Sequence, residues 1–404
     1  MNALARSSFA FFASFSRFSR YQGLKSFIYQ RDHHGFEFTE DHESLRDAVR
    51  RYIDKVYTFE HRRAIVAKGG FDRADYNALA ELGLTGLCIS DAHGGMGMGP
   101  VESMIVMEEL GRGIALEPLA QTLIASVLLQ TYAPEPIQSA WLPMLASGEK
   151  IVALALQERG MRYEMTNIKA NAALAVKEYA LSATKNIVIA GDHADAYIVS
   201  ALLSGQAALF LVDAKAAGVQ VAGHLCQDGS RAATVTFTNA PAQLITSDGQ
   251  AALQLAQDCG IANTCAYAVG VMDKTLAVTA DYMNTRKQFG QTLASFQALR
   301  HRMADMKMQL ELARSMSYFS NMKLGSPAPE RSRAAAQAKV QLGQSMRFVG
   351  QQAVQLHGGI GVTDEYIVSH YFKTLTQLEM SFGDTMHHLG EVSKRMQDTA
   401  GVFA

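Results

Sequence analysis

Arg286-Lys287-Gln288-Phe289-Gly290, with Phe296-Gln297 close behind, is the stretch whose residue types could do chemistry. Two cations, a primary amide and an aromatic ring in one loop offer forked donors to a phosphate and a flat apolar surface to a heterocycle. An ordinary helix–helix turn with solvated charges has the same composition, so the loop alone decides nothing. A second segment adds to it. Gln355-Leu356-His357-Gly358-Gly359-Ile360-Gly361 ends a helical run, and its glycines let backbone approach a ligand and turn amides toward an anion. A lone GGxG is weak. A basic, aromatic loop facing a glycine-rich helix end is the donor set of a dinucleotide-diphosphate site.

Periodicity says how the two segments meet. Residues 266–282 are rich in Ala, Val and Met without proline, and Gly290 marks the break where one helix gives way to the next. Beyond it Phe296, Leu299, Met303, Met306, Leu310 and Ala313 recur at steps of three and four, which makes one helix face. The outgoing run, 297–323, and the returning run, 330–356, are equally long and joined at Gly325-Ser326-Pro327-Ala328-Pro329. Each spans about 40 Å at 1.5 Å per residue. An antiparallel pair of equal length brings its ends together, so the Arg286–Phe289 loop should lie beside Gln355–Gly359.

The rest of the chain supplies the setting. A length of 404 residues suggests two or three domains and ample core. With 37 basic and 38 acidic residues the balance argues against a nucleic-acid binder, while a phosphate-bearing small molecule needs only a local patch. Four cysteines (Cys88, Cys226, Cys259, Cys265) show no zinc or CxxC spacing and suit a reducing compartment. No metal site is expected, and no apolar run reaches the length of a membrane span. Residues 1–35 are rich in Phe, Ser and Arg, with no acid before Asp32. They read as an extension, disordered or targeting-like, and stand outside the fold.

Residues 36–150 read as helical, with stripes at Leu45, Val49, Tyr52 and Ile53 and over 76–84; Ser90–Pro100 is a flexible connection. From 151 to 245 the period changes. Runs at 151–156, 197–200, 208–212 and 234–237 read as strands of a small antiparallel barrel or sandwich. From 246 to 404 helices return, and with the long pair they are expected to form a four-helix bundle. The fold class is α+β, a β domain between two helical ones.

The R-K-Q-F-G loop with its trailing F-Q, and the Q-L-H-G-G-I-G run, resemble the acyl-CoA dehydrogenase family. Further matches are Glu81-Leu82-Gly83-Leu84, Gly94-Gly95-Met96-Gly97, Glu108-Glu109-Leu110-Gly111 and the stretch 185–195, so the resemblance covers nearly the whole chain from Phe36. Glu158-Arg159-Gly160-Met161-Arg162-Tyr163 and Phe382-Gly383-Asp384 look most like the small subunits of two-subunit bacterial enzymes, typified by pimeloyl-CoA dehydrogenase. The resemblance implies FAD as cofactor, α,β-dehydrogenation of an acyl-CoA thioester, and electron-transfer flavoprotein as acceptor. It also implies a paralogous large subunit in a heterotetramer, lipid or steroid side-chain catabolism, and a cytoplasmic location. A mitochondrial matrix location is the alternative if residues 1–30 are a transit peptide. It assigns FAD contacts to Arg286, Gln288, Phe289, Gln297, Gln355, Gly358 and Gly359. In the family, the loop Arg and the Gln of Q-x-x-G-G reach across the dimer to the neighbour's FAD.

The catalytic base is where this chain departs from the family. A carboxylate is the natural acceptor of the α-proton, and the flavin takes the β-hydride. Much of the family places that Glu 27 residues beyond the Q-x-x-G-G glutamine, which here is Phe382 (355 + 27). The alternative position, on the helix before the loop, is Gly260, and a third, before Ala-Val-Gly, is Tyr267. The catalytic residue is therefore unknown. Asp258, Glu379 and Asp384 are the nearby acids, each better read as a solvated face residue or, for Asp384, a helix cap than as a base. His357, His387 and His388 read as packed or surface residues, because neighbouring histidines point to different helix faces. The family's Thr-Glu pair and Trp-x-Thr appear here as Gln157-Glu158 and Ile187-Val188-Ile189. Two readings follow. One is a catalytically silent subunit that serves a neighbour's FAD; the other is a self-sufficient homo-oligomeric enzyme with a displaced base.

Overall fold

The computed structural model describes residues 37–175 and 178–399. The expectation for residues 1–35 lies outside them. The N-terminal helices begin where their capping chemistry dictates. Acidic Glu40, Asp41 and Glu43 open α1 (Glu40–Val56) against the helix dipole, and Leu45, Val49 and Ile53 bury its inner face. Thr58 caps α2 (Phe59–Ala67) by accepting from His61 N at 3.2 Å, and Asp72 caps α3 (Arg73–Glu81) through Ala74 N at 2.8 Å. Pro100 starts α4 (Pro100–Gly113), where Glu102 reaches back to Gly99 N at 2.9 Å. Two further helices, α5 (Leu119–Tyr132) and α6 (Glu135–Ala146), complete this part.

The β region carries β1 (Val152–Ala155), β2 (Asn171–Leu174), β3 (Tyr179–Ile189), β4 (Ala196–Leu203), β5 (Gln206–Asp213), β6 (Val219–Leu225) and β7 (Arg231–Thr246). Its order is β1-β4-β2-β3-β7-β5, with β6 on β7, and the β4–β5 pairing closes the path into a barrel. The barrel is mixed rather than wholly antiparallel: β1 and β2 both run parallel to β4, in register Val152↔Ala196 and Asn171↔Leu202. Burial of Val199, Phe210, Val235 and Phe237 fills its interior. Lys185 is fully buried there, donating to Glu158 at 2.7 Å and Ser200 at 2.9 Å, so the charge enters the core only with its partners.

The C-terminal part has three long helices, α7 (Gly249–Thr285), α8 (Gln297–Met322) and α9 (Ala328–His357), then the shorter α10 (Ile367–Met380) and α11 (Thr385–Thr399). It is therefore less regular than the expected four long helices. Backbones of α4 and α7 touch: a Cβ at Gly111 would overlap the Tyr267 carbonyl, and one at Gly270 the Glu108 carbonyl. Buried Arg62 ties all three parts together. It donates to Ile114 O at 3.0 Å, to His370 Nδ1 at 3.3 Å and to the Asp228 carbonyl. No described helix is long and apolar enough to cross a membrane.

Candidate functional site

Where α7 ends, the loop is a two-stranded hairpin, β8 (Lys287–Gln288) and β9 (Gln291–Thr292), with Gln288 paired to Gln291. The residues between, Phe289 and Gly290, both have positive φ (52° and 80°), the signature of a tight two-residue turn that matches strand twist. This turn lifts the Phe289 ring into solvent, 91% exposed and edge-on to Phe296 at 6.3 Å. Because α8 and α9 are antiparallel, the hairpin base returns to the end of α9. The two frame an open cleft of about 410 Å³ whose wall carries Arg286, Gln288, Gln355, Gly358 and Gly359. Phe289 and Gln297 are not on that wall: Phe289 stands at the hairpin tip and Gln297 is an exposed residue in the first turn of α8.

Three further wall residues are not assigned to the site from the sequence: Tyr282, His357, which lies in the glycine-rich run but reads as packed, and Arg302. Tyr282 stacks on His357 with centroids 4.3 Å apart and donates to the His357 carbonyl at 3.2 Å. Burial pulls the His357 imidazole below its ordinary value, so it is neutral, and its Nδ1 donates to Ala353 O at 2.8 Å. That tautomer leaves Nε2 a buried acceptor with no partner among the described residues. Arg302, on α8, is the third. Its i+3 spacing from Leu299, which lines the same cleft, is the only sequence signal for it.

A second geometry lies at the turn between α10 and α11. Phe382 sits at φ 56°, and its ring packs onto Gly260 of α7, so that a Cβ at residue 260 would overlap it, 2.7 Å from Cδ1. The ring joins the apolar clusters of the barrel and of the bundle. Fully buried Lys339 fixes the turn, its Nζ donating to the carbonyls of Leu378 (3.0 Å), Glu379 (2.7 Å) and Gly383 (2.8 Å). Burial pulls that lysine down to about 8. His388 Nε2 adds a bond to Phe382 O at 2.8 Å, and burial lowers this imidazole to about 4.

Residues 253–397 match the acyl-CoA dehydrogenase C-terminal domain model and residues 39–149 the acyl-CoA dehydrogenase N-terminal domain model. The chain belongs to the acyl-CoA dehydrogenase family. It is 28% identical over 384 residues to acyl-CoA dehydrogenase FadE27 of Mycobacterium tuberculosis, spanning 90% of this chain and 99% of that one. Among solved structures, the ChsE4-ChsE5 complex from M. tuberculosis is 26% identical with a TM-score of 0.84, covering 91% of this chain and 100% of that one. The steroid ACAD Tcur3481-Tcur3483 is 27% identical with a TM-score of 0.83, covering 89% and 99%.

Acyl-CoA dehydrogenases are FAD-dependent oxidoreductases acting on CH–CH bonds, so the residues can be tested against that cofactor. The Arg286 cleft fits the diphosphate half. It presents guanidinium and amide donors, and no atom lies within 4 Å of where a Cβ at Gly358 or Gly359 would stand, so backbone amides are approachable. The chain's own ring side does not fit in the family's way. Gln157 Nε2 bonds only weakly to Arg162 O at 3.4 Å, and Ile187 is an exposed apolar residue at φ 52°.

None of the nearby acids is a free surface carboxylate. Asp258 is 1% exposed and receives Arg331 Nε (2.7 Å), Ser332 Oγ (2.9 Å) and Gln254 Nε2 (3.0 Å), which corrects its reading as a solvated residue. Glu379 is likewise tied up, accepting from Thr385 N and Oγ1 and pairing with Arg347 at 3.2 Å. Asp384 caps α11 through His387 N at 2.8 Å. Across from them Tyr163, on the β1–β2 loop, meets the His387 ring at 5.2 Å. The cleft left between that loop and α11 is about 190 Å³, below the roughly 300–1,000 Å³ usual for ligand pockets. No cluster of metal-ligating side chains occurs among the described residues.

Proposed function

We propose that this chain is the non-catalytic subunit of a heterotetrameric FAD-dependent acyl-CoA dehydrogenase. It would lend its Arg286–Gly359 cleft to the FAD diphosphate and adenosine of a paralogous large subunit. The observation that carries the reading is the Phe382–Gly260 contact. Two of the three positions at which the family places a base, 382 and 260, face each other, and the Phe382 ring fills the space between them. A carboxylate cannot be recruited there from either side, while the cleft that would serve a neighbour stays open. The bound flavin would supply hydride acceptance in the partner's site. In this chain Arg286, Gln288 and the amides of Gly358 and Gly359 would bind and orient the phosphates, and Phe289 would cover the adenosine. Gln355 lines the same wall, and Gln297 would act from the helix start. The acyl-CoA and electron-transfer flavoprotein would meet the complex through the partner, and the similarity to the steroid ACAD Tcur3481-Tcur3483 makes a steroid or other lipid acyl-CoA the substrate class to try first.

Expression alone and together with its genomic neighbour tests this. The chain alone should turn over no acyl-CoA and lose flavin on gel filtration, because its exposed Met386 and Leu389 would stay uncovered by a neighbouring subunit. A stable, yellow, active homo-oligomer would overturn the reading in favour of a self-sufficient enzyme.

A further inference from the structure

Arg286 is not the only cation on the cleft wall. Arg302 faces the same space from α8, and no acidic side chain lines the cleft. Its Nη1 donates to Gln352 Oε1 at 3.1 Å, which occupies one of five N–H donors and braces the guanidinium against α9. Among the described residues neither Arg286 nor Arg302 has a carboxylate at ion-pair distance. Their neighbours on the bundle do: Arg314 pairs with Glu108 and Asp273, and Arg331 with Asp258. Burial lowers the wall's remaining basic group, His357, below its ordinary value and so favours its uncharged form. The wall therefore carries two uncompensated positive charges in one concave space, an arrangement that is repulsive when empty and relieved by a dianion.

We propose that Arg302 is a second phosphate-reading residue, so that Arg286 and Arg302 together match the two negative charges of a dinucleotide diphosphate. This rests on the assignment of the cleft to FAD. Two guanidiniums on separate elements, the hairpin base and α8, would fix the diphosphate at two points, where Arg286 alone would leave it free to pivot. Arg302 is exposed on α8, so its replacement leaves the core untouched.

The test is the FAD dissociation constant of the heterocomplex with flavin removed, read by flavin fluorescence at low and high salt. Arg302→Gln should weaken FAD about tenfold or more, as expected for loss of one charge-assisted contact, and the deficit should shrink as salt rises. Arg302→Lys keeps the charge and should recover part of the loss. Riboflavin, which lacks the diphosphate, should bind every variant equally. Weakening by Arg286→Ala with no change from Arg302→Gln would overturn this inference and leave the cleft assignment standing. If neither substitution weakens FAD, the cleft assignment falls as well.

Discussion

Phe382 shows how one residue can close a site. Its left-handed φ costs on the order of 1 kcal/mol, yet Lys339 and His388 hold its turn from four hydrogen bonds, so the ring has one place to go. Phe382→Glu should therefore create no activity in a complex whose partner has lost its own base. The carboxylate would lie against Gly260 and two apolar clusters without a donor, and its cost should appear as a lowered thermal midpoint. Turnover within the roughly 10²–10⁴-fold range of a positioned base would show instead that a competent flavin site exists here. At this scale the sequence was informative about type and not about contact. It marked Phe382 and Gly260 as positions without a base, but nothing in residues 122 apart (382 − 260) says that one seats on the other. The ties of Asp258 to Arg331 and Ser332 and of Glu379 to Arg347 were hidden for the same reason, since those partners are distant in sequence.

The elements show the complementary pattern. The long pair and the meeting of its ends were readable because apolar spacing and the Gly-Pro turn are local signals. The hairpin was not, because Phe289 takes a positive φ that aromatic residues seldom adopt. Strands β2, β3 and β6 escaped for a different reason: β6 is exposed along almost its whole length, and Ala-rich β2 and half-buried β3 lack clean alternation. Two element contacts give measurable consequences. Gly270→Ala would drive a methyl into the Glu108 carbonyl, where backbone cannot yield, and should cost about 1–3 kcal/mol in chemical denaturation. An unchanged midpoint would mean that α4 and α7 can part freely. Between α4 and α5, burial pushes the Glu117 carboxyl up to about 8, with Asp75 and Asp72 adding to the shift and Tyr57 opposing it. Its folded value lies above the ordinary 4.5, so its contribution is fully present below that and is lost as pH rises toward 8. Glu117→Gln should therefore gain stability relative to the unsubstituted protein from about pH 5 to about pH 8.5, by at least about 1 kcal/mol. A difference that is flat with pH would place the charge elsewhere.

On the scale of the whole molecule, Arg62 and the α4–α7 contact bind three parts into one body whose own base positions are shut and whose neighbour-facing cleft is open. Under the proposed function, that asymmetry is what an assembly with a second kind of subunit would use. The most direct measurement is native mass spectrometry of the co-purified complex, counting FAD against chains. Half as many flavins as chains is expected, with the count falling further when this subunit carries Arg286→Ala. One flavin for every chain, retained in that variant, would contradict the claim that this subunit serves its neighbour's FAD and holds none of its own.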